Sequence, residues 1–144
     1  MSSSVLYFVV VGEGDRPIFE ADLTPRGLEA AQGAKDDRPQ YLYHFVLHAS
    51  LDAVEDVEWT SPNAFLGAVD RFNSLIVSAH VTSSRARLLL LHDGRPEDAV
   101  RAFLKEVGDA FVRAAANPFF DPGAHIESPT FARRVRFAAK SHLR

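Results

Sequence analysis

His44, His48 and Asp52 follow one another at four-residue intervals. On a helix that spacing puts all three on one face. Two imidazoles one turn apart can chelate zinc, with the aspartate as a further oxygen ligand. The corresponding chemistry is that of a small metal-dependent hydrolase. Such enzymes place a glutamate directly after the first histidine as general base, whereas Phe45 stands there in this chain. No third strong ligand is marked elsewhere, so the plainer reading is a solvated or partner-facing polar stripe with no metal and no cofactor. Asp52, Glu55, Asp56 and Glu58 could supply paired carboxylates for glycoside chemistry, but an acidic cluster of this kind also reads as surface charge. No G-x-S-x-G elbow is present. Gly12-Glu13-Gly14 follows an apolar run as a dinucleotide fingerprint would, yet the third glycine is missing and Glu13 and Asp15 would repel phosphate.

These residues must be positioned by elements that the hydrophobic pattern predicts. Val5–Gly12 and Ile18–Leu23 read as two strands joined by the turn Glu13-Gly14-Asp15-Arg16-Pro17, a hairpin. A helix is predicted from about Tyr41 to Val57. Leu42, Phe45, Val46, Ala49 and Ala53 form its expected core stripe. Three strands follow at Phe65–Phe72, Leu75–Thr82 and Arg87–His92. The run Leu88-Leu89-Leu90-Leu91 does not alternate, which predicts a central strand covered on both faces. Pro96, Glu97 and Asp98 open a second helix, with Val100, Phe103, Leu104, Val107 and Phe111 as its core stripe. Asn117-Pro118 ends it. Ser128-Pro129 opens a third helix, with Phe131, Val135 and Ala139 facing inward. The order β-β-α-β-β-β-α-α predicts an α+β fold: a five-stranded antiparallel sheet with one helix on one face and two on the other.

The chain has 144 residues, one domain's worth, read here as a single domain over 1–144. Its formal net charge of −3 argues against a nucleic-acid binder driven by bulk positive charge. The absence of Cys excludes disulfides, thiolate nucleophiles and Cys zinc sites, and fits a reducing cytosol. The early run Val5-Leu6-Tyr7-Phe8-Val9-Val10-Val11 is far shorter than the about 20 apolar residues that span a bilayer, so no direct membrane insertion is expected.

The first helix carries an anomaly. Tyr43, Leu47, Leu51 and Val54 make a second apolar stripe apart from the expected core stripe, although a helix docked on one sheet needs only one. The extra stripe is packed under a loop or offered to a partner. Asp52, Glu55, Asp56 and Glu58 lie toward the helix C-terminus, where acids oppose the dipole. Leu47, Leu51, Asp52, Val54 and Glu55 are therefore the expected protein-interaction surface, with apolar anchors for affinity and acids orienting a basic partner. The basic tail, with Arg133, Arg134, Arg136, Lys140 and Arg144, reads as a solvated face, or as a weak contact with anionic lipid or an acidic partner.

In this order and at these spacings, several segments together resemble the sedlin family, small longin-fold subunits of the TRAPP vesicle-tethering complex. They are Tyr7-Phe8-Val9-Val10-Val11-Gly12, Pro17-Ile18-Phe19-Glu20, His48-Ala49-Ser50-Leu51-Asp52, Val69-Asp70-Arg71-Phe72-Asn73, Leu91-His92-Asp93, Asn117-Pro118-Phe119-Phe120-Asp121-Pro122 and the closing Lys140-Ser141-His142-Leu143. His80 stands where the resemblance would place Phe, and Ala132 where it often places Asp. The resemblance implies the longin fold and a non-enzymatic adaptor subunit without a cofactor. It implies other TRAPP subunits, core and complex-specific, as partners, and a Rab GTPase reached only through the assembled complex. The expected location is cytoplasmic and peripheral at ER–Golgi intermediate and Golgi membranes. It also maps the family's functionally important helix-one Asp onto Asp52. The alternatives are a sedlin-like paralogous subunit, a free-standing longin regulator of membrane-fusion proteins, and the small hydrolase using His44, His48 and Asp52. The fusion-regulator reading requires a following coiled coil and anchor, and the chain stops at Arg144 without either.

Overall fold

The computed structural model describes residues 6–12, 16–23, 46–60, 63–72, 75–82, 86–118, 126 and 129–143. Their elements follow in the order β1 (Leu6–Val11), β2 (Pro17–Asp22), α1 (Leu51–Thr60), β3 (Phe65–Phe72), β4 (Leu75–Val81), β5 (Arg87–His92), α2 (Glu97–Ala115) and α3 (Pro129–His142). The strands form one sheet in the order β2-β1-β5-β4-β3, with every neighbouring pair antiparallel. The α+β expectation is met.

Strand alternation divides the core between the two faces of this sheet. Leu6, Phe8 and Val10 of β1 join Leu88 and Leu90 of β5 on one face, under the buried stripe of α2 and α3. Tyr7, Val9 and Val11 join Val77, Ala79, Leu89 and Leu91 on the other, under α1 and the helical turn before it. Leu88, Leu89, Leu90 and Leu91 are all fully buried, because β5 lies between β1 and β4 and is covered on both sides. Pro17 opens β2, an edge strand, where its missing N–H costs no ladder bond. The main-chain N–H of Gly12 donates to the carbonyl of Arg16 at 2.9 Å and closes the first hairpin. Residues 13–15, which complete the Gly-x-Gly motif, lie outside the described residues.

Val100, Phe103, Leu104, Val107 and Phe111 are buried along α2, and Phe131, Val135 and Ala139 along α3, as the spacing predicts. Aromatic edges lock this two-helix layer to the sheet. Phe103 meets Phe8 edge-on with ring centroids 5.4 Å apart. Phe131 meets Phe19 in the same way at 4.9 Å.

The faces of the first helix are the reverse of the expected ones. Leu47, Leu51 and Val54, expected as docking anchors, are 3%, 5% and 0% exposed and pack against the sheet. Ala49 is exposed and Ala53 half-buried, so the expected core stripe is not the buried one, although Val46 is buried. Leu42, Tyr43 and Phe45 lie outside the described residues. The cause is Ser50, which stands on the same face as Leu47, Leu51 and Val54 and breaks the apolar run. It is fully buried, yet its hydroxyl is satisfied: Oγ lies 2.8 Å from the Val46 carbonyl and 3.0 Å from Asp70 Oδ2. The helix also continues to Thr60, three residues beyond the predicted end.

Candidate functional site

With its apolar stripe committed to the core, α1 presents the opposite face to solvent. Asp52, Glu55, Asp56 and Trp59 are all exposed there. Glu55 and Asp56 stand four and three residues before Trp59, and Asp52 stands seven before it. Glu55 and Asp56 are therefore surface neighbours of the indole, with Asp52 a turn further along the same helical face. Trp59 is 74% exposed, an unusual position for the largest apolar side chain. An indole carries apolar area and a polar N–H handle on a stiff side chain, the features that make Trp a frequent binding hot spot. Of the expected interaction residues, the structure leaves Asp52 and Glu55 available and removes Leu47, Leu51 and Val54. Sequence reading missed Trp59. The available signal was the chain's single Trp, spaced one and two turns from the acids.

Glu58 behaves differently from the other acids. It points toward the sheet side of the helix, and Oε2 accepts a hydrogen bond from Arg87 Nη2 at 3.2 Å, with both side chains mostly buried. The acid that opposes the helix dipole most directly thus has a compensating cation on β5. Asp52 stands in the first turn of α1, where the dipole favours an acid, so the expected anomaly narrows to Glu55 and Asp56.

His48 is exposed near Asp52, while His44 lies outside the described residues. Among the described residues, no three His, Asp or Glu side chains converge into a group that could hold a metal. Among the same residues, no helix is long and apolar enough to cross a membrane.

Two buried histidines sit on the sheet instead. In β5, Nδ1 of His92 accepts main-chain N–H groups from Gly94 at 3.2 Å and Arg95 at 3.1 Å. The turn reaches this geometry because Gly94 adopts φ = 105°. With Nδ1 occupied as an acceptor, Nε2 carries the proton and donates to Ser78 Oγ at 2.9 Å. Burial lowers the His92 pKa, countered by Asp93 and reinforced by Arg95. His80 in β4 packs against Gly108 of α2, where an added Cβ would come within 3.0 Å of Nε2. Its pKa is also lowered by burial, against the raising effect of Asp109. Both rings are neutral in the fold and protonate more readily when unfolded. Their stabilising contribution is therefore complete above the ordinary value near 6.5 and is lost as pH falls from there through the folded values. Urea unfolding measured down through that range should show stability falling with pH, and His80→Phe should make the fall shallower. A flat profile would contradict the neutral buried assignment.

The sedlin family model matches residues 10–141. The chain belongs to the sedlin family. It is 34% identical over 143 residues to a probable trafficking protein particle complex subunit 2 of Caenorhabditis elegans, covering 99% of each chain. A protein of the same description from Drosophila melanogaster is 32% identical over 140 residues, covering 97% of this chain and 98% of its own. The transport protein particle 20 kDa subunit of Schizosaccharomyces pombe is 29% identical over 137 residues, covering 95% and 98%.

Proposed function

We propose that this sedlin-family chain is a non-catalytic adaptor and scaffold subunit of a TRAPP vesicle-tethering complex. In this reading it acts in ER-to-Golgi transport, in the cytoplasm and peripherally at ER–Golgi intermediate and Golgi membranes. It links the core to the larger subunits of a complex that activates a Rab GTPase, and touches the GTPase only through that assembly. Three relatives similar over nearly their whole length, each described as a trafficking or transport protein particle subunit, support membership of the complex. The observation that carries the adaptor role is Trp59, 74% exposed on α1 with Asp52, Glu55 and Asp56 on the same face. The indole anchors a partner, and the acids set its orientation by attracting a basic surface and repelling an acidic one.

The test is tagged purification from native cytosol followed by mass spectrometry, with wild type, Asp52→Tyr and Trp59→Ala. Wild type should bring down TRAPP subunits, and each variant should lose the same defined subset. Removal of a tryptophan hot spot typically costs about 2–4 kcal/mol, a weakening of roughly 30- to 1,000-fold. Both positions are exposed, so circular dichroism should show folded variants. Unchanged capture by Trp59→Ala would remove this face from the docking role. Capture of nothing larger than the chain itself would overturn the adaptor reading.

A further inference from the structure

The outward pole of α3 combines an exposed aromatic ring with positive charge that no described carboxylate neutralises. Phe131, Val135, Ala138 and Ala139 are the buried residues of this helix. Phe137 stands on the opposite side and is 68% exposed. Its nearest surface neighbours on a helix are the residues three and four positions away. These are Arg133, Arg134, Lys140 and Ser141, all exposed. Helix α3 contains no acidic residue. Among the described residues, no carboxylate pairs with Arg133, Arg134 or Lys140. Among the same residues, Arg133 donates to the hydroxyl of Thr130, at 3.5 Å. Among the described residues, the ion pair of this helix joins His142 to Glu106 of α2 at 3.7 Å.

We propose that this face of α3 rests on an anionic phospholipid surface, with Phe137 entering the headgroup layer and Arg133, Arg134 and Lys140 contacting lipid phosphates and carboxylates. The composition favours lipid over a protein partner. Cores of protein interfaces are depleted in charge and surround an aromatic anchor with further apolar contacts, whereas Phe137 is ringed by cations and a serine. Mobile headgroups can gather around scattered cations on a convex helix, and a single aromatic ring suits the depth at which interfacial helices lie. The exposed acids of α1 do not oppose this orientation, although the net charge is −3. The exposed acids of α1 lie on the other side of the sheet, two packed layers away, each on the order of 10 Å thick. That separation exceeds a Debye length of about 8 Å at physiological salt, so the acidic face does not cancel the basic one. Contact through one helix face is weak by itself and becomes effective when the chain is held in a larger assembly with other membrane contacts. The inference does not depend on the partner proposed for α1.

The experiment is flotation of the full chain with vesicles of phosphatidylserine in phosphatidylcholine and with vesicles of phosphatidylcholine alone, at low and high salt. Binding should require phosphatidylserine and weaken at high salt. Each of Arg133→Gln, Arg134→Gln and Lys140→Gln should lower the partition coefficient by about fivefold. Phe137→Ser should lower it without changing the preference for anionic lipid. In a Trp59→Phe background, Phe137→Trp should show indole emission shifting to the blue on anionic vesicles only. Equal partitioning of wild type and the triple Gln variant would overturn the proposal. So would self-association of wild type, lost in the triple variant, without vesicle binding. That second result would assign the face to the acidic surface of another copy.

Discussion

Val54→Asp is expected to leave the isolated chain without a stable fold at physiological temperature. Val54 is 0% exposed and packs in the cluster that includes Val9, Val11, Val77, Leu89 and Leu91. The substitution forfeits about 1.5–3 kcal/mol of apolar burial and places a carboxylate where its charge costs several kcal/mol more. A domain of this kind has about 5–15 kcal/mol in total. Leu51→Ala is the graded version and should cost about 2–5 kcal/mol, read from the urea midpoint of the purified chain. Asp52→Ala and Glu55→Ala, on the exposed side, should unfold within about 0.5 kcal/mol of the parent. If Leu51 and Val54 were docking anchors, the pattern would invert: both variants would fold normally and fail only in partner capture. A stable, cooperatively unfolding Val54→Asp chain would contradict the burial of this stripe.

That contrast also shows where the sequence was legible. The unbroken Leu88–Leu91 run announced a strand covered on both faces, because alternation disappears only when both sides are buried. The stripe of α2 was equally plain, since Val100, Phe103, Leu104, Val107 and Phe111 all serve one apolar face. The first helix misled because a buried serine has no apolar signature. Its partners, the Val46 carbonyl on the helical turn before α1 and Asp70 on a distant strand, emerge only in three dimensions. The pairing of β1 with β5 was hidden for a related reason: strand adjacency across that much intervening chain is set by long-range packing, which local patterns do not encode. Trp59 stands alone among charged residues on its face and so forms no apolar stripe. The acids were found by their spacing and sign, yet sequence did not separate Glu58, neutralised by Arg87, from Asp52, Glu55 and Asp56.

The opposite layer supplies the second large effect. Phe103→Ala should destabilise the chain by about 3–5 kcal/mol and lower the unfolding temperature by about 10 °C or more. Phe103 is fully buried between α2 and the sheet, and its ring edge meets Phe8 at 5.4 Å and 85°. Truncation removes the ring from water-free contact and leaves a cavity that the surrounding Leu88, Leu90 and Leu104 fill only in part. A double-mutant cycle with Phe8→Leu and Phe103→Leu should reveal a coupling of about 0.5–1.5 kcal/mol from the edge-to-face pair, over and above the area each ring buries. Additive losses would mean that the two rings contribute only as bulk. The position also connects stability to the lipid-facing proposal. Helix α3 reaches the sheet through Phe131 on Phe19 and leans on α2 through Phe111, with ring centroids 6.3 Å apart. Loosening α2 therefore tilts the platform that carries Phe137 and its cations. Phe103→Ala should weaken vesicle binding near its unfolding midpoint and leave it intact well below, because the α3 face is intact whenever its support is folded. The lipid-binding variants should do the reverse, lowering partition at every temperature without moving the midpoint.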